Sequence, residues 1–266
     1  MEPYRGKGVV ITGAASGIGR ALAIDLAASG ARLALTDVNI DGLEETKRLC
    51  GDVVCNIYRV DVANRSEMFG VADAVKHDLG EVDYLFNNAG VALAASINNS
   101  TIEEIEWIVN INLWGVVYGT KAFLPVFLSQ GGGHIVNISS VMGFVGYPGL
   151  GAYCLTKFGV RGFTETLWRE LEGTGVCATS VHPAGTATGI THGFRMGQYA
   201  DEEDRKNVER QARGHSTTPE QAARKILAGV ARRKRRIIVS NGSWIIQFLS
   251  RMFPSSYPTL MRRLGA

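Results

Sequence analysis

The sequence predicts a single-domain α/β fold: a doubly wound parallel sheet of about seven strands with helices on both faces. Three observations carry this expectation. Short apolar runs of strand length alternate with helical patterns over the first 240 residues. A glycine-rich turn, Thr12-Gly13-Ala14-Ala15-Ser16-Gly17-Ile18-Gly19, joins the first strand directly to the first helix. The length of 266 residues suits one α/β domain with a full core, and no repeat or low-complexity linker divides it. A (β/α)8 barrel is the alternative closure, but it needs an eighth strand and the sequence offers seven.

In order, residues 8–12 form a buried strand and 17–29 a helix stopped by Gly30. Residues 32–36 are a second strand, 41–49 a helix and 53–60 a third strand. Asn64 and Glu67 make a capping box for a helix reaching Leu79, and 82–86 is the fourth strand. Ser100 and Glu103 open a further helix that runs through Trp107 and Val116 towards Leu128. Then come a strand at 134–138, a long helix at 152–173, a strand at 175–181, a basic helix at 219–234 and a strand at 236–240. Right-handed crossovers between so many strands make the doubly wound sheet the expected closure.

Hydrophobic residues are 45% and charged residues 20% of the chain, which excludes a disordered or collagen-like protein. No run of about 18 apolar residues is visible, so no membrane span is expected. The N-terminus lacks an apolar stretch of signal-peptide form, so a cytoplasmic protein is expected. Cys50, Cys55, Cys154 and Cys177 fit neither zinc-ligand spacing nor a disulfide framework, and no metal is expected. The charge is uneven. Residues 1–200 hold 14 basic and 19 acidic side chains, while residues 201–266 hold 14 and 6.

Chemistry is first suggested by the glycine-rich turn, whose backbone can approach a pyrophosphate at the positive end of a helix. No Lys-Ser or Lys-Thr pair follows, which excludes a P-loop. Asp37 ends the second strand 18 residues beyond Gly19, where an acid can accept from the ribose hydroxyls of an adenosine. Such a carboxylate repels a 2′-phosphate, which favours NAD over NADP; Asp37 could equally serve only to cap its turn. Tyr153 and Lys157 stand four residues apart on one helix face. An ammonium favours the phenolate and lowers the phenol pKa from about 10, making a competent general acid or base.

With these motifs the chain resembles the short-chain dehydrogenase/reductase family, whose fold is a Rossmann-like dinucleotide-binding domain. The matching pieces are Thr12 to Gly19, Asp61-Val62, Asn87-Asn88-Ala89-Gly90, Asn112, Ser140 at the end of Asn137-Ile138-Ser139-Ser140, and Tyr153 to Lys157. The resemblance implies that Tyr153 exchanges a proton with the substrate oxygen and that Ser140, thirteen positions earlier, hydrogen-bonds that oxygen. It implies that Lys157 lowers the tyrosine pKa and binds the nicotinamide ribose, and that Asn112 holds a relay water. Gly13, Ser16, Gly17, Ile18 and Gly19 would cradle the cofactor, Asp61 and Val62 would flank the adenine, and Asn88 and Gly90 would line the cleft. Pro183, with Thr186 or Thr188, would meet the carboxamide. Here the chain departs from the family, because Ala184 stands where a glycine is frequent.

The expected function is hydride transfer between NAD and a secondary alcohol or ketone. NADP-dependent ketone reduction and a non-catalytic NAD-binding regulator are the alternatives. DNA binding by Arg232-Arg233-Lys234-Arg235-Arg236 is disfavoured, because cations suit a helix end. Residues 184–218 form a long connection of the kind that makes lids, with a helical middle at 201–213. Val91, Leu93, Ala94 and the apolar run 141–148 would wall the pocket, which suits a hydrophobic substrate, or could equally be ordinary core. Apolar faces on the helices at 101–129 and 152–173, with Trp114 and Phe158 among them, together with the resemblance, imply a homotetramer or homodimer. Residues 1–242 are read as the catalytic body and 243–266 as an amphipathic extension. Trp244, Ile245, Phe248, Leu249, Met252 and Phe253 recur at helical spacing there. Closure over a hydrophobic cleft, or packing on the same domain or a partner subunit, is the expectation for this tail. Peripheral membrane contact is the minor one.

Overall fold

The computed structural model describes residues 2–184, 195–212, 217–240 and 242–263. Seven parallel strands form the central sheet: β1 (Gly8–Thr12), β2 (Arg32–Asp37), β3 (Cys55–Arg59), β4 (Tyr84–Asn87), β6 (Gly133–Ile138), β7 (Val176–His182) and β9 (Arg236–Ile238). Their spatial order is β3-β2-β1-β4-β6-β7-β9. The chain therefore winds outward from β1 in one direction and from β4 in the other. This reversal leaves a crevice beyond the carboxyl ends of β1 and β4, where such sheets bind ligands.

The strands are apolar on both faces because both are covered. Val9, Ile11, Leu33 and Leu35 pack under α1 (Gly17–Ala28) and α8 (Pro219–Ala231). Val10, Leu85 and Ile135 pack under α3 (Arg65–Leu79), α5 (Gly115–Gln130) and α6 (Gly151–Glu170). The remaining elements are α2 (Ile40–Cys50), α4 (Ile102–Val109), α7 (Glu202–Ala212), and the short parallel pair β5 (Leu93–Ala94) with β8 (Arg195–Met196). The doubly wound sheet is thus as the sequence predicts, and α7 fills the middle of the long connection.

Boundaries differ where tertiary contacts choose between similar local signals. The third strand is shorter than 53–60, the basic helix ends at Ala231, and β9 stops at Ile238. The capping box of α4 is formed by Thr101 and Glu104, one residue beyond the predicted pair. Helices α4 and α5 are joined by a π-helical turn, Asn110–Trp114, that makes one continuous rod. Among the described residues this rod, Ile102–Gln130, is long and apolar enough by length and composition to cross a membrane, with mean hydropathy 1.3. No such span was expected from the sequence, because scattered polar residues break every apolar run. The average is high because Ile108, Val116, Phe123 and Phe127 face the protein interior.

The tail forms α9 (Ser243–Met252) and α10 (Tyr257–Arg263). It rests against the short 3-10 turn Val141–Gly143 that follows β6. The Gly146 amide donates to Tyr257 Oη at 3.0 Å.

Candidate active site

The glycine-rich turn is built around Thr12. Its Oγ1 accepts from the amides of Asn88 and Ala89, both at 3.0 Å, and so ties the end of β1 to the end of β4. Asn88 Nδ2 returns two bonds, to the carbonyls of Thr12 and Gly13. Gly13 has φ +67°, and a Cβ there would lie 2.7 Å from Ala89 Cα. A Cβ on Gly19 would lie 2.1 Å from the Gly13 carbonyl oxygen, so α1 can pack this closely only without one.

Ser16 is the N-cap of α1 but contributes no side-chain cap. The first amides of the helix, including those of Gly17 and Ile18, therefore lack the usual side-chain acceptor. Amides in this state at a positive helix end suit a pyrophosphate. Asp37 accepts from Ala15 N at 3.1 Å and from Asn39 N at 3.0 Å. It thus caps its own turn and also stands at the rim of the glycine-rich loop. Arg20, the nearby cation, is committed to Thr46 and to the carbonyls of Ala15 and Gly42. Asp61 accepts from Ala63 N, while Val62 is buried against Gly115. The residues present therefore fit a dinucleotide.

Across the crevice, α6 carries Tyr153 and Lys157, with Nζ 5.5 Å from the tyrosine ring centre. Lys157 is buried and donates to the Ile138 carbonyl at 3.1 Å. Gly90 lies between this ammonium and Asn112, as a Cβ there would be 3.5 Å from Nζ and 3.2 Å from Oδ1. Burial pushes the Tyr153 phenol up to about 12, against a hydrogen bond with Ser140 that lowers it. Burial also brings Lys157 down to about 8. Desolvation thus moves both groups towards their neutral forms.

Ser140 and Ser139 have different surroundings. Ser139 donates to the Lys157 carbonyl at 2.8 Å and is spent on packing β6 to α6. Ser140 caps the 3-10 turn by accepting from Met142 N, and its hydroxyl reaches Tyr153. Asn112 sits in the π-helical turn and is fully buried. Its Oδ1 accepts from Val91 N at 2.8 Å and its Nδ2 donates to Val91 O at 2.9 Å. The side chain holds the strand-end loop in a two-pronged grip. Pro183 lies beside Ser140, its carbonyl accepting from Val141 N at 3.0 Å. Thr186 and Thr188 lie outside the described residues.

Several positioning groups escaped the sequence reading. His182, at the end of β7, lies 2.8 Å through Nδ1 from the Ser140 carbonyl and 2.9 Å through Nε2 from Ser180 Oγ. Burial lowers its pKa to about 3, so it is neutral. A histidine ending an apolar strand immediately before a proline was the available signal. Glu104 accepts from Gln198 N at 2.8 Å and, with Arg195 stacked 4.9 Å over Trp107, fastens the long connection to α4 ahead of α7.

The predicted apolar walls need correction. Leu93, Ala94, Val141, Phe144 and Val145 are interior residues, and Phe144 stacks on His182 at 4.1 Å. Within the predicted walls, Val91, Met142, Gly146, Tyr147 and Pro148 keep exposure. A cavity of about 300 Å³ lies farther out, among Ile97, Tyr147, Pro148, Asp204 and Asn207. None of Ser140, Tyr153 and Lys157 lines it.

A strand-turn-helix cradle for a dinucleotide facing a tyrosine-lysine pair defines a class of oxidoreductase, and the comparisons agree. The family model for short chain dehydrogenases matches residues 7–198, and the chain belongs to that family. It is 43% identical over 269 residues to "Putative oxidoreductase SadH" of Mycobacterium tuberculosis, covering 98% of this chain and 96% of that protein. It is 32% identical to human estradiol 17-beta-dehydrogenase 11, covering 97% of this chain and 83% of that one. A short chain dehydrogenase/reductase from Burkholderia phymatum in complex with NAD superposes with TM-score 0.88, at 30% identity and 95% coverage of both chains. The protein is an NAD(P)-dependent oxidoreductase acting on CH–OH groups.

Proposed function

We propose that the protein interconverts an apolar secondary alcohol and its ketone with NAD. The observation that carries this reading is the meeting of Ser140, Tyr153 and Lys157 at the carboxyl end of β6, across from the glycine-rich turn. The cofactor, when bound, gives or takes the hydride. Tyr153 Oη exchanges the proton with the substrate oxygen, and Ser140 Oγ holds that oxygen in line. Lys157 orients the nicotinamide ribose and, when charged, favours the phenolate. Asn112 keeps the Val91 loop in place and stands where a relay water would be held. The first amides of α1 and the Gly13–Gly19 backbone bind the pyrophosphate. Asp61, Val62, Asn88 and Gly90 line the remaining cleft, and Pro183 borders the carboxamide.

NAD is favoured over NADP because Asp37 places a carboxylate by the ribose and Arg20 is held by backbone carbonyls. The NAD complex of the Burkholderia relative supports this choice. Val91, Met142 and Tyr147 favour an apolar substrate, and so does the likeness to estradiol dehydrogenases. The exposed Trp114 of the π-helical turn, Leu128 on α5, and Leu155 and Phe158 on α6 support a homodimer or homotetramer, to be checked by light scattering. The deciding experiment is Tyr153→Phe, assayed by NADH absorbance on a panel of apolar secondary alcohols and ketones. Turnover is lost and cofactor binding kept; a variant retaining most of its activity overturns the assignment.

A further inference from the structure

Helix α9 has its polarity reversed. Trp244, Ile245, Phe248 and Met252 share one side and are 61%, 40%, 52% and 57% exposed, with Phe253 at 45% continuing the stripe. The side turned to the protein holds the half-buried Ile246, Leu249 and also the polar Gln247 and Ser250. A surface helix of a globular body ordinarily shows the opposite arrangement. The stripe does not close over the chain's own cleft, since its largest side chains face away from the body.

The charge of this part of the chain is equally one-sided. From Gln221 to Ala266 there is no aspartate or glutamate, against ten lysines and arginines. Arg251 stands exposed on α9 itself, and Arg262 and Arg263 end α10. The position also matters. Helix α9 lies against the Val141–Gly143 turn directly after Ser140, and Tyr257 accepts from Gly146 in the loop leading to α6.

We propose that α9 and α10 are a membrane-surface element that inserts Trp244, Ile245, Phe248, Met252 and Phe253 shallowly into an anionic bilayer. An exposed stripe of aromatic and aliphatic side chains, an exposed Arg251 on the same helix and no acid anywhere in α9 or α10 are the features such an element needs. A second copy of the chain is the weaker occupant. A ten-residue helix is about 15 Å long. One such face falls short of the roughly 800 Å² per partner that a stable interface buries. Docking here sets the mouth of the candidate active site beside the hydrocarbon from which an apolar substrate partitions.

The test is co-sedimentation of the full chain with phosphatidylcholine vesicles, with and without phosphatidylglycerol, at low and high salt. The expected result is binding to the anionic vesicles, weakened by salt, with a blue shift in tryptophan emission that Trp244→Phe removes. The double variant Trp244→Ser, Phe248→Ser binds at least tenfold more weakly while its circular dichroism and its thermal unfolding stay those of the parent. Absence of wild-type binding at low salt overturns the proposal. So does undiminished binding by the folded double variant. Loss of oligomer mass in that variant, with no vesicle binding by the parent, assigns the stripe to contact between copies instead.

Discussion

His182 Nδ1 stands 2.8 Å from the carbonyl oxygen of Ser140, so a buried neutral imidazole fixes the backbone that carries the hydroxyl facing Tyr153. Since a carbonyl only accepts, Nδ1 carries the proton and Nε2 accepts from Ser180. Protonation would turn Ser180 Oγ from donor to acceptor and place a charge in a site cut off from water, which burial opposes. The ring stacks on Phe144, over which the guanidinium groups of Arg161 and Arg236 sit at 4.9 and 5.6 Å.

Acid sensitivity follows from that ring and from His134, held down to about 4 by burial. Unfolded histidines take a proton near pH 6.5, whereas these folded ones resist to about 4 and about 3. The unfolded state then binds more protons, so stability is full above pH 6.5 and falls as pH drops below it. Between pH 7 and pH 5 the two together remove about 4 kcal/mol, at about 1.4 kcal/mol per unit each. Urea unfolding at the two pH values checks this, and His182→Gln should make the dependence shallower.

Lys157 gives the opposite relation between stability and activity. Its pKa of about 8 in the fold, below the usual 10.5, means that burying the ammonium costs the folded state at pH 7. Lys157→Met removes that cost, about 3 kcal/mol. It also loses one hydrogen bond to Ile138, worth about 1 kcal/mol. The variant is expected to be inactive yet more stable by about 1–2 kcal/mol. A lowered unfolding midpoint in denaturant contradicts this.

Gly19→Ala should abolish dinucleotide binding, because the new methyl meets the Gly13 carbonyl and forces α1 away from the turn. Calorimetric titration with NAD reads it directly. Undisturbed affinity would mean that the loop does not hold the pyrophosphate.

Asp37→Ser removes the carboxylate proposed to accept from the ribose hydroxyls, together with its bonds from Ala15 N and Asn39 N. The ratio of kcat/KM for NADP to that for NAD should rise at least tenfold, about 1.4 kcal/mol. An unchanged ratio would reduce Asp37 to a turn cap.

Glu104→Ala should loosen the part of the long connection around Gln198. It deletes the α4 capping box and the bond from Gln198 N, costing about 1–3 kcal/mol locally. Limited trypsin digestion should then cut faster at Arg195, Arg205 and Arg210, with no such change for Glu103→Ala.

The contrast between Glu103 and Glu104 shows what local pattern leaves open. Ser100 with Glu103 and Thr101 with Glu104 satisfy the same S/T-x-x-E rule. The second wins because Glu104 also accepts from Gln198, 94 residues away, while Ser100 turns back to the Ser96 carbonyl. The π-helical turn at Asn112 was hidden for a similar reason, since its residues have ordinary helical character and only the grip on Val91 explains the insertion.

Sequence by itself determined the order of strands and helices, the parallel sheet, the cradle at Gly13–Gly19 and the family. These rest on short-range rules: side-chain period, glycine geometry, and the four-residue spacing of Tyr153 and Lys157 on one helix. The tertiary structure alone decided that Ser139 is spent on the Lys157 carbonyl, and that Phe144 belongs to the core while Trp244 and Phe248 face outward. It also decided that Tyr153 and Lys157 are both desolvated, which moves each towards its neutral form. Burial and orientation depend on elements distant in sequence, and a hydrophobic pattern records that a face is apolar without recording what covers it.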